Sequence, residues 1–89
     1  MGGLILSKKE KLIERLLSNP KDFAFSETAT LLGYFGYNEM PAGKTGGSRV
    51  AFANSKHDYI RIHKPHPRNI LKPYQVNNLI NDLMERGLL

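Results

Sequence analysis

Between residues 49 and 63 the apolar side chains return at every second position, in a chain whose other apolar runs return every third or fourth. Arg49-Val-Ala-Phe-Ala53 sets Val50 and Phe52 against Arg49, Ala51 and Ala53, and Tyr59-Ile-Arg-Ile-His63 sets Ile60 and Ile62 against Tyr59, Arg61 and His63. A period of two is that of an extended strand with one buried face. The polar stretch Asn54-Ser-Lys-His57 suits a turn between the two strands.

Register sharpens this expectation. Val50 and Phe52 share a face with Ile60 and Ile62 only if the numbers of opposed residues sum to an even value. With a three-residue loop two registers remain, one setting Arg49 opposite Arg61 and the other setting Arg49 opposite His63. In either, Arg49, Arg61 and His63 gather on the polar face at cross-strand distances of about 5 to 8 Å. Two guanidinium groups and an imidazole in one patch cost free energy unless an anion joins them.

Three helical patterns surround this hairpin. Ser7-Lys-Lys-Glu10 is a capping box, after which Leu12, Ile13, Leu16 and Leu17 keep helical spacing up to Asn19-Pro20. Ser26 is a candidate cap for a second helix with Leu31, Leu32 and Phe35 on its apolar side and its end near Gly36. Pro73 suits the first position of a third helix, whose stripe is Val76, Leu79, Ile80, Leu83 and Met84 and whose end is marked by Gly87. Tyr37 to Met40 is a candidate third strand, bounded by Pro41. The stripes are read as core.

With 89 residues the chain makes one small domain with a modest core. It has no cysteine, hence no disulfide framework and no thiolate metal site, and a reducing cytoplasm suits it. No apolar run approaches the roughly 18 residues of a membrane span. Met-Gly-Gly-Leu-Ile-Leu6 is too short for a signal peptide, and Leu6 stands where a myristoylation signal needs Ser or Thr. The net charge of +5 is concentrated in the middle of the chain. Residues 1–40 hold five basic and five acidic side chains, whereas residues 41–75 hold Lys44, Arg49, Lys56, Arg61, Lys64, Arg68 and Lys72 against Asp58 alone. Such an uneven footprint points to a polyanion, above all nucleic acid.

Ala42-Gly-Lys-Thr-Gly-Gly-Ser-Arg49 contains the Gly-Lys-Thr of a nucleotide-binding P-loop, but the remaining parts of that device are missing. Its first glycine position is Asn38, and a strand pattern follows the loop where a helix N-terminus should receive the phosphates. No nucleotide cofactor is expected. The stretch is aimed instead at some other phosphate.

His63-Lys-Pro-His66-Pro67 has the spacing of a metal-ligand pair, yet Asp58 is the only acid in residues 41–75, so no metal is expected. Acid and base roles fit the two imidazoles better. One ring can take the proton of a ribose 2′-OH while another gives one to the departing 5′-oxygen, with neighbouring cations stabilising the phosphorane. The alternative is that both histidines only hydrogen-bond loop carbonyls or phosphates.

Lys44-Thr-Gly-Gly-Ser-Arg-Val-Ala-Phe52, Ile62-His-Lys-Pro-His-Pro67 and Leu71-Lys-Pro-Tyr-Gln-Val76, set in the order helix, glycine-rich turn, two strands and terminal helix, resemble the HicA family. These proteins are the toxin component of bacterial HicA–HicB toxin–antitoxin pairs. The resemblance covers residues 22–89 and leaves 1–21 as an N-terminal extension with one helix. It implies a small α+β fold like a double-stranded-RNA-binding domain, in which helices pack on one face of a three-stranded antiparallel sheet. It further implies a metal-independent endoribonuclease acting on mRNA and silenced by a HicB-like antitoxin. On that reading His63 and His66 are the catalytic candidates, and Lys44, Ser48, Arg49, Arg61, Lys64 and Arg68 are the RNA phosphate ligands.

The family's best-known pattern has its catalytic histidine directly after Gly-Ser, where this chain has Arg49. A guanidinium stays protonated and cannot act as a general base, though it can hold a phosphate with its fork. Either His63 or His66 then supplies the acid–base function, or the protein binds RNA without cutting it. A third possibility is that the basic face serves an acidic protein partner.

Overall fold

The computed structural model describes residues 6–41 and 49–89. Its elements are α1 (Lys8–Leu17), α2 (Phe25–Tyr34), β1 (Asn38–Glu39), β2 (Arg49–Ala53), β3 (Tyr59–His63) and α3 (Pro73–Glu85). The three strands form an antiparallel sheet in the order β1-β2-β3, giving the α+β fold expected from the switch of period.

Each helix begins and ends for a local reason. At α1 the Ser7 hydroxyl accepts from the Glu10 N–H at 3.1 Å and the Glu10 carboxylate accepts from the Ser7 N–H at 3.0 Å, the expected capping box. At α2 the cap differs from the expected Ser26. Ala24 is the N-cap, and its N–H donates to Glu27 Oε1 at 2.9 Å. Phe25 is the reason: it is buried, with its ring 6.0 Å from that of Phe52, and this packing places it in the helix and leaves Ser26 exposed in the first turn. Both α2 and α3 close on a glycine with positive φ. Gly36 (φ 88°) donates to the Gly33 carbonyl and Tyr37 to that of Leu32, while Gly87 (φ 76°) donates to Met84 and Leu88 to Leu83. These paired bonds are Schellman caps.

The hairpin register is the one that sets Arg49 opposite His63, with Val50 against Ile62, Ala51 against Arg61, Phe52 against Ile60 and Ala53 against Tyr59. The turn decides between the two permitted registers. Asn54 Oδ1 accepts from the N–H groups of Lys56 and Asp58, the Asn54 N–H donates to the Asp58 carbonyl, and His57 takes a left-handed conformation (φ 65°). A three-residue loop with a left-handed last residue centres the hairpin on Lys56. The inner face of this sheet presents Phe52 and Ile60, fully or nearly fully buried against Leu31, Leu32, Val76, Leu79 and Leu83 of α2 and α3. Leu16 of α1, with no exposed surface, belongs to the same core. Arg15 holds α1 to α2, its guanidinium 2.7 Å from Glu27 Oε2 and 3.2 Å from Asp22 Oδ1.

Candidate nucleic-acid interface

The outer face of the hairpin carries the expected cluster. Tyr59 and His63 turn their carbonyls away from β2, where they accept from Arg86 Nη2 (2.9 Å) and Gln75 Nε2 (2.8 Å) of the α3 end of the molecule. Their cross-strand pairs are therefore of the non-hydrogen-bonded kind, in which opposed side chains stand closest, at a Cα separation of about 4.5 Å. Arg49 and His63 form such a pair, and both are exposed. Arg61 lies two residues along, its guanidinium 5.2 Å from the centroid of the Tyr59 ring. Ala51 and Ala53 face Arg61 and Tyr59 across the strands, so the floor between the cations is made of methyl groups. A phosphate can approach such a floor without meeting a bulky side chain.

Arg49, Arg61 and His63 also line a groove of about 470 Å³ between β3 and α3. Its apolar walls come from Ile60, Ile62, Leu71 and Leu79, and α3 adds Tyr74, Gln75, Asn78 and Asp82. The sequence assigns the apolar stripe of this helix to the core and gives α3 no part in a site, so its contribution here is new. A signal was present, since Tyr74, Asn78 and Asp82 recur at helical spacing on the flank of the buried stripe.

The other predicted residues stand elsewhere. Lys64 and Arg68 line a separate depression with Phe25, Ser26, Asn69 and the acidic Glu39 at the start of α2, and the Lys64 ammonium sits 5.5 Å from the centroid of the Phe25 ring. This loop is tied down by the Phe25 N–H on the Asn69 carbonyl and the Leu71 N–H on the Phe23 carbonyl, each 2.8 Å. His66 is exposed after the buried Pro65 and lines neither depression. Lys44 and Ser48 lie outside the described residues. Thus Arg49, Arg61 and His63 come together, Lys64 and Arg68 form a second basic group, and the two histidines do not share a groove.

Among the described residues no three His, Cys, Asp or Glu side chains gather as metal ligands, and no helix is long and apolar enough to cross a membrane. Comparison of the chain with family models, curated proteins and solved structures found no match.

Proposed function

We propose that the protein is a HicA-like RNA-binding toxin that engages the backbone of mRNA through the outer face of its hairpin and cleaves it with His63. The observation that carries this reading is the pairing of Arg49 with His63 across the strands, with Arg61 beside them on a floor of alanines. Arg49 and Arg61 hold the scissile phosphate, and the His63 imidazole takes the 2′-OH proton as the 2′-oxygen attacks phosphorus. The bond from phosphorus to the 5′-oxygen breaks, and the departing oxygen takes a proton from His66 or from water. The α–β–β–β–α order of residues 25–85 agrees with the arrangement the family resemblance implies.

Binding without cleavage is the second reading, favoured by two observations. Arg49 occupies the position of the family's catalytic histidine, and His66 lies outside the groove. An acidic antitoxin-like protein would meet the same basic face and compete with RNA there.

The test is incubation of the purified protein with a long unstructured mRNA in EDTA, beside His63→Ala and His66→Ala. Cleavage by the wild type and its loss in His63→Ala, with RNA affinity kept within about threefold, is the expected result. Wild-type rates in both variants would refute the catalytic assignment, and salt-sensitive binding without cleavage by the wild type would establish the second reading.

A further inference from the structure

The groove between β3 and α3 is built for more than a phosphate. We propose that it is a base-binding pocket, which takes one unstacked nucleobase from a single-stranded RNA whose backbone lies across the outer face of the hairpin. The inference rests on the RNA reading above and adds where a base would go.

Four features lead to it. The volume, about 470 Å³, falls within the range of roughly 300 to 1,000 Å³ typical of small-ligand sites. The lining combines apolar surface from Ile62, Leu71 and Leu79 with an aromatic ring that the core does not use: Tyr74 is 60% exposed at the first turn of α3. An exposed tyrosine beside a cation-lined groove offers a stacking platform, the usual means of holding a base in single-stranded RNA. The Asn78 side chain, one helical turn further on, brings a carboxamide donor and acceptor to the same wall.

The fourth feature is the edge of the sheet. The backbone groups of alternate residues in a strand point the same way, so the N–H and C=O of Arg61 face the open edge with the carbonyls of Tyr59 and His63. An adjacent donor and acceptor on one residue matches the adjacent acceptor and donor on the Watson–Crick edge of a base. Such an edge could in principle add a peptide strand instead. Here, however, Gln75 and Arg86 bridge α3 to the His63 and Tyr59 carbonyls at the two ends of β3. A gap closed at both ends suits a compact planar group better than a strand running through, and the cations at its mouth suit the phosphates that flank that group.

Two measurements test the proposal on the full chain. In the first, fluorescein-labelled octaribonucleotides, intact or carrying one central abasic nucleotide, are bound to the wild type, Tyr74→Ala, Tyr74→Trp and Asn78→Ala. The wild type should prefer the intact oligomer by about tenfold, Tyr74→Ala should lose the preference while keeping salt-sensitive binding, and Tyr74→Trp should restore it. An unchanged preference in Tyr74→Ala and Asn78→Ala, or no preference in the wild type, overturns the pocket. In the second, nucleoside monophosphates are titrated into ¹⁵N-labelled protein, with shifts expected at Tyr74, Asn78 and Leu79. Those shifts without binding of any oligomer would uphold a base pocket and sink the RNA reading; RNA binding without them would do the reverse, and shifts produced only by an apolar peptide would overturn the pocket.

Discussion

Arg15 and Glu27 illustrate how much of this fold is held by single side chains. The Glu27 carboxylate lies below the ordinary carboxylate range, chiefly because the Arg15 guanidinium donates to it at 2.7 Å; partial burial opposes this, and the Ala24 N–H adds to it. A depressed folded pKa contributes stability that is complete above the unfolded value of about 4.3 and is lost as pH falls through the folded value. Glu27→Gln keeps the shape and loses the charge, so it should cost about 1 kcal/mol at pH 7. In thermal melts the gap to the wild type should close as pH drops below about 4; a gap that persists to pH 2 would count against the charge and in favour of shape. At the same scale, Arg49 gains its meaning from its partner. Alone it is a surface cation, and opposite His63 it becomes half of the proposed phosphate site.

At the scale of elements, the hairpin and α1 are fixed by different contacts. The hairpin's parity was readable from the alternation of Val50, Phe52, Ile60 and Ile62, and the choice of register fell to Asn54 and His57, whose turn geometry centres the loop. The helix α1, read as an extension, contributes Leu16 to the shared core and Arg15 to the start of α2. Leu16→Ala should therefore destabilise the whole protein by about 2 to 5 kcal/mol in urea titrations, in one cooperative transition. Loss of α1 helicity alone, with the rest of the fold melting at the wild-type denaturant concentration, would mean that α1 is an independent appendage.

For the molecule as a whole, the distribution of charge is the property that acts at a distance. Of the basic side chains of residues 49–72, Arg49 and Arg61 lie on the outer face of the hairpin and Lys64 and Arg68 at the start of α2, while Lys56 stands in the hairpin turn and Lys72 at the N-cap of α3, so they make no single patch. If the hairpin face carries the RNA backbone, Arg49→Ala and Arg61→Ala should each lower the slope of log affinity against log salt by about 0.7 to 1. Lys64→Ala and Arg68→Ala report on whether the second group shares the same strand. Slopes equal to the wild type in all four variants would remove RNA from this surface altogether.

The sequence by itself determined which stretches are helical and which extended, because the two periods differ and because caps such as Ser7 with Glu10, Gly36 and Gly87 act on neighbours within a few positions. It also determined that Arg49, Arg61 and His63 share a face, since parity follows from burial alone. The cap of α2 was misread at Ser26 because the deciding contact, Phe25 on Phe52, joins residues 27 apart. For the same reason only the tertiary structure decided the groove. Tyr74, Asn78 and Asp82 come to β3 through the packing of α3 on the core and through the Gln75 and Arg86 bridges to strand carbonyls, which no local pattern encodes. Local rules fix a residue's conformation and its face; which distant faces meet depends on how all the apolar stripes are buried at once.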